Sequence, residues 1–216
     1  MKTAVILSGG KIQSEFALAF LEKHPCDFRI GADRGILFCK EYGITPTHIV
    51  GDFDSAGEEV LDWFLSCHEI PVQRFNPVKD YTDTDIALRL ALDLGASRIY
   101  ILGGTGTRLD HVAANIRTLA LALEKGAEAF LLDANNRIRL VKSPVSLSKT
   151  EQFGQYVSLF AVGGTVKGLT LEGFFYSLSD YVLEGLDPLC VSNEITEPEG
   201  RISFSEGILM IMESKD

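Results

Sequence analysis

Basic residues are in short supply. Lys and Arg number 20 against 30 Asp and Glu, a net charge of −10. Nucleic-acid backbones are bound by a Lys and Arg surplus, so no nucleic-acid partner is expected. A nucleotide held through a metal ion and backbone N–H groups stays open. Cysteine is scarce as well: Cys26, Cys39, Cys67 and Cys190 show no CxxC spacing and no zinc-type pairing with histidine. That excludes a disulfide framework and a zinc finger, and reads as free thiols in a reducing compartment. No apolar run approaches the ~20 residues of a membrane span. The run over residues 4–7 is too short for the core of a signal peptide. A soluble, cytoplasmic protein with no membrane partner is therefore expected. Internal repeats, low-complexity tracts and coiled-coil heptads are also missing. What remains is an ordinary globular composition, 46% apolar and 23% charged over 216 residues, enough for one large domain or two small ones.

Through residue 142 the chain alternates short apolar runs with helix-period segments. Runs at 4–7, 28–32, 47–50, 71–75, 97–102 and 127–132 read as buried strands. Segments at 14–21, 37–42, 58–65, 86–94 and 110–124 read as helices, the third burying Val60, Leu61 and Phe64 and the last Val112, Ile116, Leu119 and Leu123. Such alternation argues a parallel sheet, here of Rossmann-like α/β type. Beyond Ser143-Pro144 the texture changes to short strands punctuated by glycines, over 156–162, 166–171, 182–183, 189–191, 201–204 and 207–212. This second module reads as all-β, a sandwich. The expected domains are 1–142 and 143–216.

The chemistry-bearing residues follow the strands. Asp52 and Asp54 leave the third strand one residue apart. On an extended chain they share a side, where a cation must relieve their repulsion. Mg2+ fits, because it takes one or two carboxylates plus substrate phosphates. Asp33 stands at a second strand tip, with capping of the next helix as its plainer role. Lys79-Asp80-Tyr81-Thr82-Asp83-Thr84-Asp85 precedes a helix. Thr82 and Asp85 have the spacing of a capping box, whereas Lys79 beside Asp80 suits phosphate and Mg2+. After the fifth strand comes Gly103-Gly104-Thr105-Gly106-Thr107-Arg108-Leu109-Asp110-His111. Its glycines allow backbone N–H groups to meet an anion, and Arg108 adds a planar donor fork. His111 and Asn115 lie one helical turn apart, on one face. Ser8-Gly9-Gly10 reads as a plain strand-to-helix turn, since no GxGxxG follows.

In order along the chain, Asp33-Arg34-Gly35, Gly51-Asp52-Phe53-Asp54-Ser55, Lys79 to Asp83, the Gly103 to His111 run with Asn115, and Ser192-Asn193-Glu194 resemble the thiamine pyrophosphokinase (thiamine diphosphokinase) family. Two positions depart from its pattern, Arg34 and Thr107, each where the family usually has glycine. The resemblance implies a transferase that moves the diphosphate group of ATP to the hydroxyl of thiamine, giving thiamine diphosphate and AMP. It implies an α/β domain for ATP and Mg2+, a β-sandwich domain that helps bind thiamine, and a homodimer with active sites at the subunit interface. Carried over by motif, Asp52, Asp54 and Asp83 hold Mg2+ and, with Arg108, serve catalysis. Asp33, Lys79, Asp80, Thr82, Asp85, Gly104, Thr105, Gly106, His111 and Asn115 bind the nucleotide. Ser192 and Asn193 contact thiamine. The rival readings are a kinase or pyrophosphokinase of another small alcohol, a phosphatase with an Asp-x-Asp nucleophile, and a nucleotide sensor without turnover.

Overall fold

The computed structural model describes residues 1–53, 57–67, 69–74, 81–106 and 108–216. The chain divides into two compact units, Met1–Ala134 and Asn135–Asp216. The sequence places the change of texture at Ser143, eight residues later. The difference comes from one strand: residues 136–141 pair with the last strand of the chain and so belong to the second unit.

The first unit runs β1 (Lys2–Leu7), α1 (Ser14–Lys23), β2 (Phe28–Ala32), α2 (Gly35–Glu41), β3 (His48–Gly51), α3 (Glu58–Cys67), β4 (Val72–Arg74), α4 (Asp83–Asp93), β5 (Ala96–Leu102), α5 (Leu109–Glu124) and β6 (Glu128–Leu132). Every strand pairing is parallel, and the order across the sheet is β4-β3-β2-β1-β5-β6. Ala4, Val5, Ile6 and Leu7 of β1 are wholly buried, as are Ile99 and Ile101 beside them. Continuous apolar strands of this kind are what a parallel sheet covered on both faces requires. Helix α3 buries Leu61 and Phe64 as the periodicity predicts. Helix α5 is rotated from its apolar stripe: its buried residues are Asn115, Thr118, Leu119 and Ala122, with Val112, Ile116 and Leu123 only half-buried. Hydrogen bonds explain the rotation. Asn115 donates to Gly104 O at 2.8 Å and Thr118 to Ala114 O at 3.1 Å, so both polar groups are satisfied inside.

The second unit is all strand: β7 (Asn136–Val141), β8 (Val145–Ser148), β9 (Tyr156–Glu172), β10 (Leu178–Leu183), β11 (Asn193–Glu194), β12 (Glu199–Ser203) and β13 (Glu206–Ser214). Its pairings are antiparallel. The two runs expected at 156–162 and 166–171 form one strand, β9. Its first half pairs with β13 and β11 and its second half with β10 and β12. Gly163 lies between the halves at φ +72, a conformation that glycine adopts without steric cost. The core of this unit gathers Val157, Leu159, Val166, Leu169, Leu171, Leu183, Ile202, Leu209 and Ile211. The strand expected at 189–191 is absent. Asp187 accepts a hydrogen bond from Leu189 N and another from the Tyr181 hydroxyl, and Cys190 has φ +69. These contacts make a turn in which a ladder cannot form.

Candidate functional site

The strand order decides where a ligand fits the first unit. From β1 the chain proceeds outward through β2, β3 and β4, and β5 then lies on the other side of β1. The loops after β1 and β5 therefore diverge at the C-terminal edge, and open α/β sheets bind ligands in such a crevice. Both loops are glycine-rich here, and both line a cleft of about 300 Å³, through Ser8, Gly9 and Gly10 and through Gly103, Gly104 and Gly106. Asp33, Arg34, Thr82, Asp83 and Thr84 line it too, with Arg108, His111 and Asn115 at the start of α5.

The loops touch through their backbones. Ser8 N donates to Leu102 O at 2.8 Å and Gly10 N to Gly103 O at 3.0 Å. A Cβ on Gly10 would stand 2.3 Å from Gly103 O, and one on Gly106 would stand 2.8 Å from Lys11 N. The glycines are thus demanded by this close approach as well as by any anion. Ser8-Gly9-Gly10, which reads as a plain turn in the sequence, is half of the cleft. No local signal could have shown this, because the adjacency of β1 and β5 is a property of the sheet.

Acids gather at the mouth. Asp33 follows β2 with φ +46, and its N–H donates to Val50 O at 2.9 Å. Its Oδ1 is buried without a hydrogen-bond partner. Burial pushes the Asp33 carboxyl above its ordinary range, the N–H of Arg34 opposes this, and the charges of Asp83 and Asp52 push it further up. Such a set favours a cation or a proton. Among the described residues no three acids stand close enough to ligate one ion together. Asp52 does not leave an extended strand as the sequence suggests. Strand β3 ends at Gly51, and Phe53, buried, takes φ +64. The chain leaves the extended conformation at Phe53, directly after Asp52. Asp54 itself, with Lys79, Asp80 and Thr107, lies outside the described residues.

The remaining candidates separate. Thr82 caps α4, its hydroxyl accepting from Asp85 N at 3.2 Å. Asp85 does not line the cleft. Its carboxylate accepts from Arg89 at 2.5 Å and from the Thr118 hydroxyl at 3.5 Å, so it braces α4. Thr105 is likewise not among the lining residues. Arg108 is exposed and paired with Asp110, Nε to Oδ1 at 3.2 Å and Nη2 to Oδ2 at 2.6 Å. This contact holds Asp110 below the usual carboxylate range. An anion must displace Asp110 to take the whole fork. His111 is exposed at the rim, whereas Asn115 is buried and carries Gly104. Arg34, which the sequence marks only as a departure, adds an exposed guanidinium to the lining.

In the second unit Ser192 and Asn193 take opposite roles. Ser192 is exposed at φ +55. Asn193 is buried, and both ends of its amide are engaged: Oδ1 accepts from Tyr176 N at 3.0 Å and Glu194 N at 2.9 Å, and Nδ2 donates to Tyr176 O at 2.8 Å. In this structure the Asn193 amide thus meets backbone groups of Tyr176 and Glu194. Its amide holds the segment that carries the exposed Phe175 and Tyr176. The cysteines take no part. All four are unpaired, and burial pushes the Cys39 thiol up to about 12, leaving it protonated. No helix among the described residues is long and apolar enough to cross a membrane.

A glycine-lined crevice at a switch point, edged by acids and guanidiniums, belongs to an α/β protein that handles phosphates, here with a second, β-rich unit. Comparison with known proteins narrows the class. Residues 21–131 match the thiamin pyrophosphokinase catalytic domain, and residues 143–209 match the thiamin pyrophosphokinase vitamin B1 binding domain. Thiamine pyrophosphokinase of Bacillus subtilis (strain 168) is 31% identical over 217 residues, with all of both chains covered. The crystal structure of thiamine pyrophosphokinase from Bacillus subtilis superposes with a TM-score of 0.88 at 31% identity over all of both chains. That of Geobacillus thermodenitrificans gives 0.85 at 31% identity, covering 99% of this chain and 98% of the other. The chain belongs to the thiamin pyrophosphokinase family.

Proposed function

We propose that the chain transfers the diphosphate group of ATP to the hydroxyl of thiamine, and that the polyphosphate lies in the cleft between the β1 and β5 loops. The observation that carries this reading is the meeting of two glycine loops and the acids Asp33 and Asp83 at one switch point. The hydroxyl oxygen of thiamine attacks the β-phosphorus, the bond from that phosphorus to the bridging oxygen of AMP breaks, and AMP departs. Catalysis of such a transfer rests on positioning and charge neutralisation. Backbone N–H groups of the glycine loops receive phosphate oxygens, and Arg108 exchanges Asp110 for them. Asp83 and Asp52, with Asp54, are the residues that would hold Mg2+. The ion, when bound, neutralises the phosphate charge and polarises the phosphorus under attack.

The finer features follow the family. The first unit is Rossmann-like, the second a β-sandwich with exposed Ser192 toward thiamine. The chain works as a cytoplasmic homodimer with active sites at the subunit interface. Light scattering tests the last point, since a mass near the 23.7 kDa of one chain would refute it. The direct test of function is incubation with ATP, Mg2+ and thiamine. AMP and thiamine diphosphate are expected in equal amounts. ADP in place of AMP, or a trapped aspartyl-phosphate, would overturn the reading.

A further inference from the structure

The turn after β1 is the common reference of the cleft. Gly10 abuts Gly103, which sets the β5 loop. Gly9 leaves its Cβ position 3.3 Å from Asp33 Oδ2, which sets the β2 tip. Ser8 reaches the third element: its hydroxyl meets that of Thr84, 2.5 Å away and 76 residues later. Both residues are buried and both line the cleft. Thr84 sits in the first turn of α4, directly after Asp83. The three neighbours thus divide the labour at this helix start. Thr82 caps the backbone, Asp83 presents a charge to the cleft, and Thr84 ties the turn to β1.

We infer that the Ser8–Thr84 hydroxyl pair is a positioning device that holds Asp83, the neighbour of Thr84, at the metal–nucleotide site. The inference rests on the proposed placement of Mg2+ and polyphosphate in this cleft. Thr84 is a positioning residue and touches neither metal nor substrate. Without its hydroxyl the first turn of α4 is no longer tied to the end of β1, and the site loses metal affinity while the rest of the cleft is kept.

The test compares Thr84→Val, which keeps shape and deletes the hydroxyl, with Thr84→Ser, which restores it. Mn2+ binding is followed by electron paramagnetic resonance, in the presence of a non-hydrolysable ATP analogue, and the Mg2+ concentration for half-maximal turnover is measured in parallel. Thr84→Val should weaken Mn2+ about three- to tenfold, the range expected for one net hydrogen bond. Binding of the analogue in metal-free buffer should stay within about twofold, and Thr84→Ser should return Mn2+ affinity to near the parent value. A merely structural pair would lower the melting temperature and leave the metal term unmoved, and that result overturns the inference. If Thr84→Val fails to fold, Ser8→Ala, which deletes the partner hydroxyl, and Ser8→Thr, which keeps it, give the same comparison from the other side. Unchanged Mn2+ affinity in Ser8→Ala then overturns it. Asp83→Asn separates the two levels. If it keeps full Mn2+ affinity, the metal placement itself is wrong. If it loses affinity while folded Thr84→Val does not, only the positioning role falls.

Discussion

Asn193 places both ends of its amide on one backbone residue, Tyr176, and is buried while doing so. Replacing it by alanine removes both of these bonds, and each net hydrogen bond is worth about 0.5–1.5 kcal/mol. Asn193→Ala should therefore lower the denaturant midpoint measurably, whereas Ser192→Ala, at an exposed hydroxyl, should not. Chemical denaturation followed by tryptophan-free probes such as far-ultraviolet dichroism checks both. Asp33 behaves differently. Its carboxyl is raised by burial and by Asp83 and Asp52, so the native state holds that proton more tightly than the unfolded chain. The resulting stability is present below the unfolded carboxylate value and is lost as pH rises through the raised native one. Asn tolerates the positive φ of this position and carries no charge. In metal-free buffer at neutral pH, Asp33→Asn should melt higher than the parent, and the gap should close on acidification through the carboxylate range. A scan of melting temperature against pH decides it. If Asp83 holds Mg2+ as proposed, turnover should fall about 100-fold or more in Asp83→Asn, because losing a metal ligand removes several kcal/mol of charge stabilisation. Near-normal steady-state turnover at saturating Mg2+ would refute the assignment.

Elements meet at this site through glycine. Helix α2 begins at Gly35, where a Cβ would stand only 1.8 Å from Leu7 O. The helix lies that close to the end of β1, and its Ile36 and Cys39 are wholly buried. Gly35→Ala must push α2 off the strand, and overpacking of a rigid core costs about 1–3 kcal/mol or more. The displacement would also carry Asp33 and Arg34, which precede the helix. Loss of ATP affinity together with a lowered unfolding midpoint is the expected outcome, read by calorimetric titration and denaturation. An unaltered affinity would mean that the β2 tip is positioned independently of α2. The long strand β9 shows the same principle in the other unit. Its sequence reads as two strands because Gly163-Gly164 looks like a turn, yet the backbone continues and only its partners change.

Across the whole molecule, each unit has a core of its own. In the second, Leu169 and Leu171 of β9 are almost wholly enclosed by residues of that unit. Leu169→Ala removes buried methyl groups and leaves a cavity, at a cost of about 2–5 kcal/mol. Hydrogen exchange should then rise over residues 135–216 and stay low in β1 and β5 of the first unit. A uniform rise along the chain would show that the two cores unfold as one.

The apolar runs of β1, β5 and β6 and the helical periods of α1 and α3 were legible because burial acts on local pattern. The acids after strands and the glycines after β5 were legible for a related reason: turns and phosphate approach restrict residue type locally. The cap of Thr82 on Asp85 could be read at a spacing of three residues. What tertiary structure alone decided is which loops become neighbours. The placement of β5 beside β1 turned Ser8-Gly9-Gly10 from a turn into a wall of the cleft. The pairing of β7 with β13 moved the division between units to Asn135. Two side chains that the family motif marks, Asp85 and Asn193, meet Arg89 and the backbone of Tyr176. A side chain's hydrogen-bond partner across the fold is set by long-range packing, which leaves no periodic trace in the chain; composition and spacing determine which residues are available, and the folded backbone determines what each of them meets.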